Sequence, residues 1–171
     1  HNVAHSFPTR RSSDLLLSLW REIARRYKDD ETVVGYDLMN EPAIRYEGVQ
    51  GGPSDYNLIV TKLVKAIREI DKKHTVIVAT PVVVFRDGRV LNRLQGIEYM
   101  MPPIDDNLVY EPHMYEPHEF THYGLRETNE KPIPYPGVNE GVYWNAAQVE
   151  SALAPVARYA ARYNVPILIG E

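Results

Sequence analysis

The chain of 171 residues is 44% hydrophobic and 25% charged, the balance of a globular protein with enough length for one core. A formal net charge of −4 offers no polycationic surface for phosphates, which argues against a nucleic-acid partner. The absence of cysteine excludes disulfides and thiolate chemistry, and no stretch approaches the ~18 apolar residues of a membrane span.

His1–Asp14 has no helical or alternating period, and Phe7–Leu15 resembles the in-frame translation of a sequencing-library adapter, so residues 1–14 read as a non-native leader. From Leu15 the pattern changes. Leu15, Leu16, Leu19, Ile23 and Tyr27 recur at helical spacing, with Trp20 and Ala24 beside them and arginines opposite. After the polar turn Asp29–Glu31, the run Thr32–Met39 predicts a strand covered on both faces, as in a parallel sheet or barrel. It ends in Asn40-Glu41-Pro42. By itself this tripeptide reads as a surface turn, and Pro42 sharpens the boundary, since it restricts Glu41 toward extended geometry and cannot donate to a ladder.

Ala43–Pro53, with Gly48, Gly51 and Gly52, predicts a long loop. Ser54 or Asp55 then caps a helix whose apolar stripe is Tyr56, Ile59, Val60, Leu63, Val64, Ile67 and Ile70. Thr75–Ala79 follows as a short strand, with His74 at its start read as structural or exposed. Two helix-then-strand units in succession imply a repeating α/β architecture with a parallel sheet.

Val82–Trp144 is irregular. Phe85–Arg89 suggests a turn, Leu91, Leu94 and Ile97 a short helix, and Leu108–Tyr110 a strand leading to His113 and Tyr115, two apart and therefore on one side. His113, His118 and His122 invite a metal reading. Their spacings match no zinc helix, and Pro112 and Pro117 interrupt any helix that would align them, so no metal or cofactor is expected. Tyr123, Tyr135, Tyr143 and Trp144 offer platforms for sugar rings, although ordinary packing explains each singly.

Asn145 and Gln148 have the spacing of a capping box at the start of a helix that contains Pro155 and ends at Asn164. Val165–Gly170 then forms another apolar strand that ends, like the first, in a carboxylate, Glu171. The carboxyl ends of parallel strands share one face, so Glu41 and Glu171 can meet across a cleft. Two facing carboxylates are the minimum apparatus for glycosidic hydrolysis.

Four segments in this order, Gly35–Pro42, Asp106–Tyr115, Phe120–Gly124 and Val165–Glu171, resemble glycoside hydrolase family 5, the cellulase family of the (β/α)8 glycosidases. The resemblance implies that residues 15–171 are part of a catalytic TIM barrel, about four of eight strands, from the helix before strand 4 to strand 7. It implies Glu41 as acid/base, Glu171 as nucleophile, Asn40 as partner of the sugar 2-hydroxyl, Tyr115 as a hydrogen bond to the nucleophile, and His113 as a contact of the sugar or of Glu41. Trp144 joins them as a candidate substrate platform. The implied reaction is retaining hydrolysis of β-1,4-glucan by a monomer outside the cytoplasm. Exo-β-glucanase, β-mannanase and a non-catalytic carbohydrate-binding relative are the alternatives. Tyr123 and Glu111-Pro112 depart from the family pattern and bear on subsite preference.

Overall fold

The computed structural model describes residues 10–46, 55–124 and 133–171. The chain runs α1 (Arg10–Tyr27), β1 (Gly35–Asp37), β2 (Ala43–Tyr46), α2 (Tyr56–Arg68), β3 (Thr75–Ala79), β4 (Val82–Phe85), β5 (Val90–Leu91) and α3 (Arg93–Gly96). After a 3-10 turn (Ile97–Tyr99) come β6 (Leu108–Glu111), α4 (His118–Thr121), β7 (Gly137–Asn139), β8 (Val142–Trp144) and α5 (Ala146–Tyr163).

The central sheet is parallel in the order β1-β3-β6, with Gly35 opposite Thr75 and Val76 opposite Leu108. Residues 166–171 extend it beyond β6: Tyr110 N–H donates to Pro166 O, Leu168 N–H to Tyr110 O, Gly170 N–H to Pro112 O and Met114 N–H to Glu171 O. The expected last strand is therefore present as an extended, alternately bonded segment with one β-bridge, Tyr110 to Ile167. The architecture is α/β, and the strands among the described residues do not close into a barrel.

Helix α2 follows the sequence closely. The Asp55 carboxylate accepts from the Asn57 and Leu58 N–H groups, and the buried face runs Tyr56, Ile59, Val60, Leu63, Val64, Ala66, Ile67. Helix α1 starts at Arg10, inside the segment read as a leader, and its inward face is rotated from the expected one. Trp20 and Ala24 are buried while Leu15, Leu19 and Tyr27 are exposed, because Trp20 is the residue that packs edge-on against Tyr36 of β1.

Two expectations need correction. The strand predicted over Thr32–Met39 shortens to Gly35–Asp37 and is not covered on both faces: Tyr36 and Leu38 are buried while Val34 and Asp37 are exposed, and among the described residues β1 is a sheet edge paired with β3. Leu168 and Ile169 are likewise exposed. Ala43–Tyr46, read as loop, is strand β2, parallel to β4, which turns back on β5 through Phe85–Arg89 with Gly88 at φ +85°. Pro81, two residues past β3, has no N–H to continue that ladder, and beyond it the chains pair again as Val82 N–H donates to Pro42 O. Residues 47–53 of the predicted loop lie outside the described residues. Helix α5 is capped as expected by the Asn145 side chain accepting from Gln148 N–H, and it runs through Pro155 to a left-handed Asn164.

Candidate active site

Glu41 sits just past β1 with φ +47°, a left-handed conformation that costs a residue with a Cβ about 1–2 kcal/mol. The conformation is held from the far end of the side chain. Oε2 lies 2.9 Å from Arg93 Nη2, and Oε1 lies 3.1 Å from His113 Nδ1. His113 is buried, and the same Nδ1 is 3.6 Å from Glu171 Oε2. Nδ1 is within hydrogen-bond reach of Glu41 Oε1 and stands just beyond that reach from Glu171 Oε2. One oxygen of Glu41, one of Glu171 and a ring nitrogen of His113 all lie within 4.8 Å of one another. The sequence places these residues up to 130 positions apart; the parallel ends of β1, β6 and the final segment bring them together.

Tyr115 donates its hydroxyl to Glu171 Oε2. That bond, with burial and the negative charges of Glu171 and Glu41 behind it, pushes the Tyr115 phenol up to about 12, so it remains a donor throughout the neutral range. The Glu171 backbone is fixed by Met114 N–H, and Gly170 before it allows close approach to Glu111, because a Cβ there would stand 1.9 Å from Glu111 Oε1. The rings of His113 and Tyr115 meet edge-on at 6.3 Å, as their spacing of two predicted, although both lie beyond the end of β6.

Asn40 is exposed beside Glu41, and adjacency in the chain is what relates it to the pair. Trp144 is 9% exposed within the β7–β8 hairpin, which leaves little ring face for a sugar; its neighbour Tyr143 is 59% exposed. His118 and His122 stack on each other at 3.9 Å and form no convergent donor set with His113 among the described residues. His74 is structural, bound through Nδ1 to Asp71 and through Nε2 to the Asp30 carbonyl.

Three residues given no role from the sequence stand beside the pair. Arg93 reaches Glu41 from the first turn of α3; the Asn92-x-x-Gln95 capping box was the available signal for that helix start. Glu111 is buried with Oε2 3.9 Å from His113 Nε2, and burial, then the charge of Asp37, pushes its carboxyl above the ordinary value. Glu116 accepts from the Tyr115 N–H and from the Asn92 side chain.

The model of the cellulase family, glycosyl hydrolase family 5, matches residues 5–171. Cellodextrinase A of Ruminococcus flavefaciens is 30% identical over 156 residues, 90% of this chain and 42% of that protein. Endoglucanase 3 of Fibrobacter succinogenes is 25% identical over 206 residues, 100% of this chain and 30% of that protein. The solved endoglucanase of the hyperthermophile Thermotoga maritima superposes with a TM-score of 0.68 at 27% identity, over 94% of this chain and 48% of that one. The Thermotoga enzyme has been solved with cellobiose and with mannotriose. The chain thus spans between about a third and a half of the length of these relatives.

Proposed function

The chain belongs to glycosyl hydrolase family 5, the cellulase family, and on that premise we propose that its protein is a retaining glycosidase of β-1,4-glucan, working as a monomer outside the cytoplasm. The three parallel strands and the segment 166–171 are read as four successive strands of a (β/α)8 barrel, with Glu41 and Glu171 at their carboxyl ends. The observation that carries the reading is the approach of the two carboxylates to within 4.8 Å around His113. Retaining enzymes set their carboxyl groups about 5–5.5 Å apart, whereas inverting ones leave about 6.5–9.5 Å for a water molecule.

Each residue then has a task. Tyr115 holds Oε2 of Glu171, which leaves Oε1 to attack the anomeric carbon. As that bond forms, the glycosidic bond breaks, and Glu41, protonated, passes its proton to the departing oxygen. In the second half Glu41, now a carboxylate, takes a proton from water, whose oxygen bonds to the anomeric carbon and frees Glu171. His113 keeps Glu41 turned toward Glu171. Asn40 is assigned to the 2-hydroxyl of the sugar, where hydrogen bonds strengthen in the transition state.

The test is Glu171→Gln in the protein carrying this chain. Turnover of carboxymethyl cellulose and aryl cellobiosides is expected to disappear with folding intact. In Glu171→Ala, added azide is expected to restore turnover of an activated aryl glycoside with formation of the α-glycosyl azide, which marks the nucleophile. Substantial turnover by Glu171→Gln would sink the assignment. A panel of carboxymethyl cellulose, barley glucan, laminarin and mannan separates glucanase from mannanase action.

A further inference from the structure

Arg93 makes a 2.9 Å ion pair with the Glu41 oxygen that His113 does not use. The arginine is built in with unusual care for a residue in a four-residue helix. Its carbonyl accepts from the Thr80 hydroxyl at 2.7 Å, at the end of β3. The capping box closes the turn on both sides, as Asn92 Oδ1 accepts from Gln95 N–H and Gln95 Oε1 accepts from Asn92 N–H. Gly96 presses the helix against the β3–β4 junction so tightly that a Cβ would fall 1.8 Å from Pro81 O. The Nε of Arg93 is buried without a partner among the described residues. An unpartnered buried donor is unfavourable, a cost that a side chain present merely to fill space would not incur.

The neighbouring residue extends the arrangement. Asn92 donates through its side chain to Glu116, whose other oxygen accepts the Tyr115 N–H at 3.1 Å, and Tyr115 holds Glu171. One turn of α3 therefore grips Glu41 directly and Glu171 through two intermediates. A guanidinium binds a carboxylate more strongly than a neutral carboxylic acid, since both charges contribute. Glu41 is a carboxylate in the second half of the proposed reaction, when it must meet water.

We infer that Arg93 is a positioning residue for that half: it holds Oε2 of Glu41 so that the carboxylate is aimed at the water releasing the glycosyl intermediate. The inference rests on Glu41 being the acid/base. With 2,4-dinitrophenyl β-cellobioside the leaving group departs without a proton, so kcat reports release of the intermediate and kcat/KM reports its formation. Arg93→Ala in the protein carrying this chain is expected to lower kcat and KM together by roughly tenfold or more, leaving kcat/KM within about twofold. Azide attacks the intermediate without base assistance and is expected to restore kcat. Arg93→Lys keeps the charge with shorter reach and should recover part of the loss. A purely structural role would lower kcat/KM and show no azide response, and that result overturns the inference; so does an unchanged kcat. If Arg93→Ala does not fold, Arg93→Gln is read by the same criteria. Glu41→Ala separates the two claims. If it lacks the azide-rescued signature, the proposed function fails; if it shows the signature and the Arg93 variants do not, the role of Arg93 alone fails.

Discussion

Asp71→Asn tests the junction that holds the far end of the sheet. Asp71 is 2% exposed and accepts from the Tyr36 hydroxyl at 2.6 Å, the Lys73 N–H at 2.8 Å and the His74 N–H at 3.1 Å, with His74 Nδ1 at 2.6 Å. It thereby ties the end of α2 to β1 and to the start of β3, while His74 reaches across to the Asp30 carbonyl. Burial alone would push the Asp71 carboxyl up; the bonds from Tyr36, Lys73 and His74 outweigh it and hold it at about 2, against an ordinary 3.8. At about 1.4 kcal/mol per tenfold change in proton affinity, the difference is worth about 2 kcal/mol of folding stability. The sign follows from the direction. A depressed carboxyl stabilises the fold above its free value of 3.8 and loses that contribution as the pH falls through about 2. His74 runs the other way: burial lowers it, but the Asp30 carbonyl and Asp71 raise it above 6.5, so its contribution is complete below 6.5 and fades at higher pH. Removing the Asp71 charge should therefore cost about 2 kcal/mol at pH 6, a fall in Tm of about 4–8 °C for a domain of this size. The gap between wild type and variant should close as the pH is lowered from 4 toward 2. Thermal melts followed by circular dichroism at pH 6, 4, 3 and 2 measure it. An equal gap at pH 6 and pH 2.5, or none at pH 6, would refute the electrostatic account.

Two further outcomes follow from close contacts. Gly170→Ala would drive a Cβ into the buried Glu111 carboxyl, 1.9 Å from Oε1, so either that side chain, which stands beside His113, or the backbone before Glu171 must give way; steady-state kinetics on the protein carrying this chain should show activity reduced, by about a hundredfold where the shift misplaces Glu171 by an ångström. Arg68→Lys removes a bidentate pair with Asp105 at 2.9 and 3.0 Å and bonds to the His74 and Asn107 carbonyls, for a cost of about 1–3 kcal/mol in urea unfolding at pH 7. Arg68 holds the Asp105 carboxyl below its usual value against burial, so the cost of Arg68→Lys should shrink in acid; a pH-independent cost would place it in packing.

The sequence by itself determined the elements whose signals are local. The apolar stripe and Asp55 cap of α2, the β-branched run Thr75–Ala79, the Asn145 cap of α5 and the spacing of His113 and Tyr115 all depend on neighbours within a turn or two of chain. Glu41 and Glu171 were legible for the same reason, as carboxylates where apolar runs stop. Tertiary structure decided what depends on partners far along the chain. The rotation of α1 was set by Trp20 meeting Tyr36, and the pairing of β2 with β4 by a parallel register that puts Ala43 opposite Val82. Trp144 and Tyr143 look alike in the sequence, yet one is buried and the other exposed, because strand pairing chooses which side faces in. Arg93 is unremarkable among 19 basic residues until a β-hairpin and a packed glycine carry it to Glu41. Local patterns fix where a reactive group stands on its own element; which other groups share its space is fixed by the packing of elements against one another.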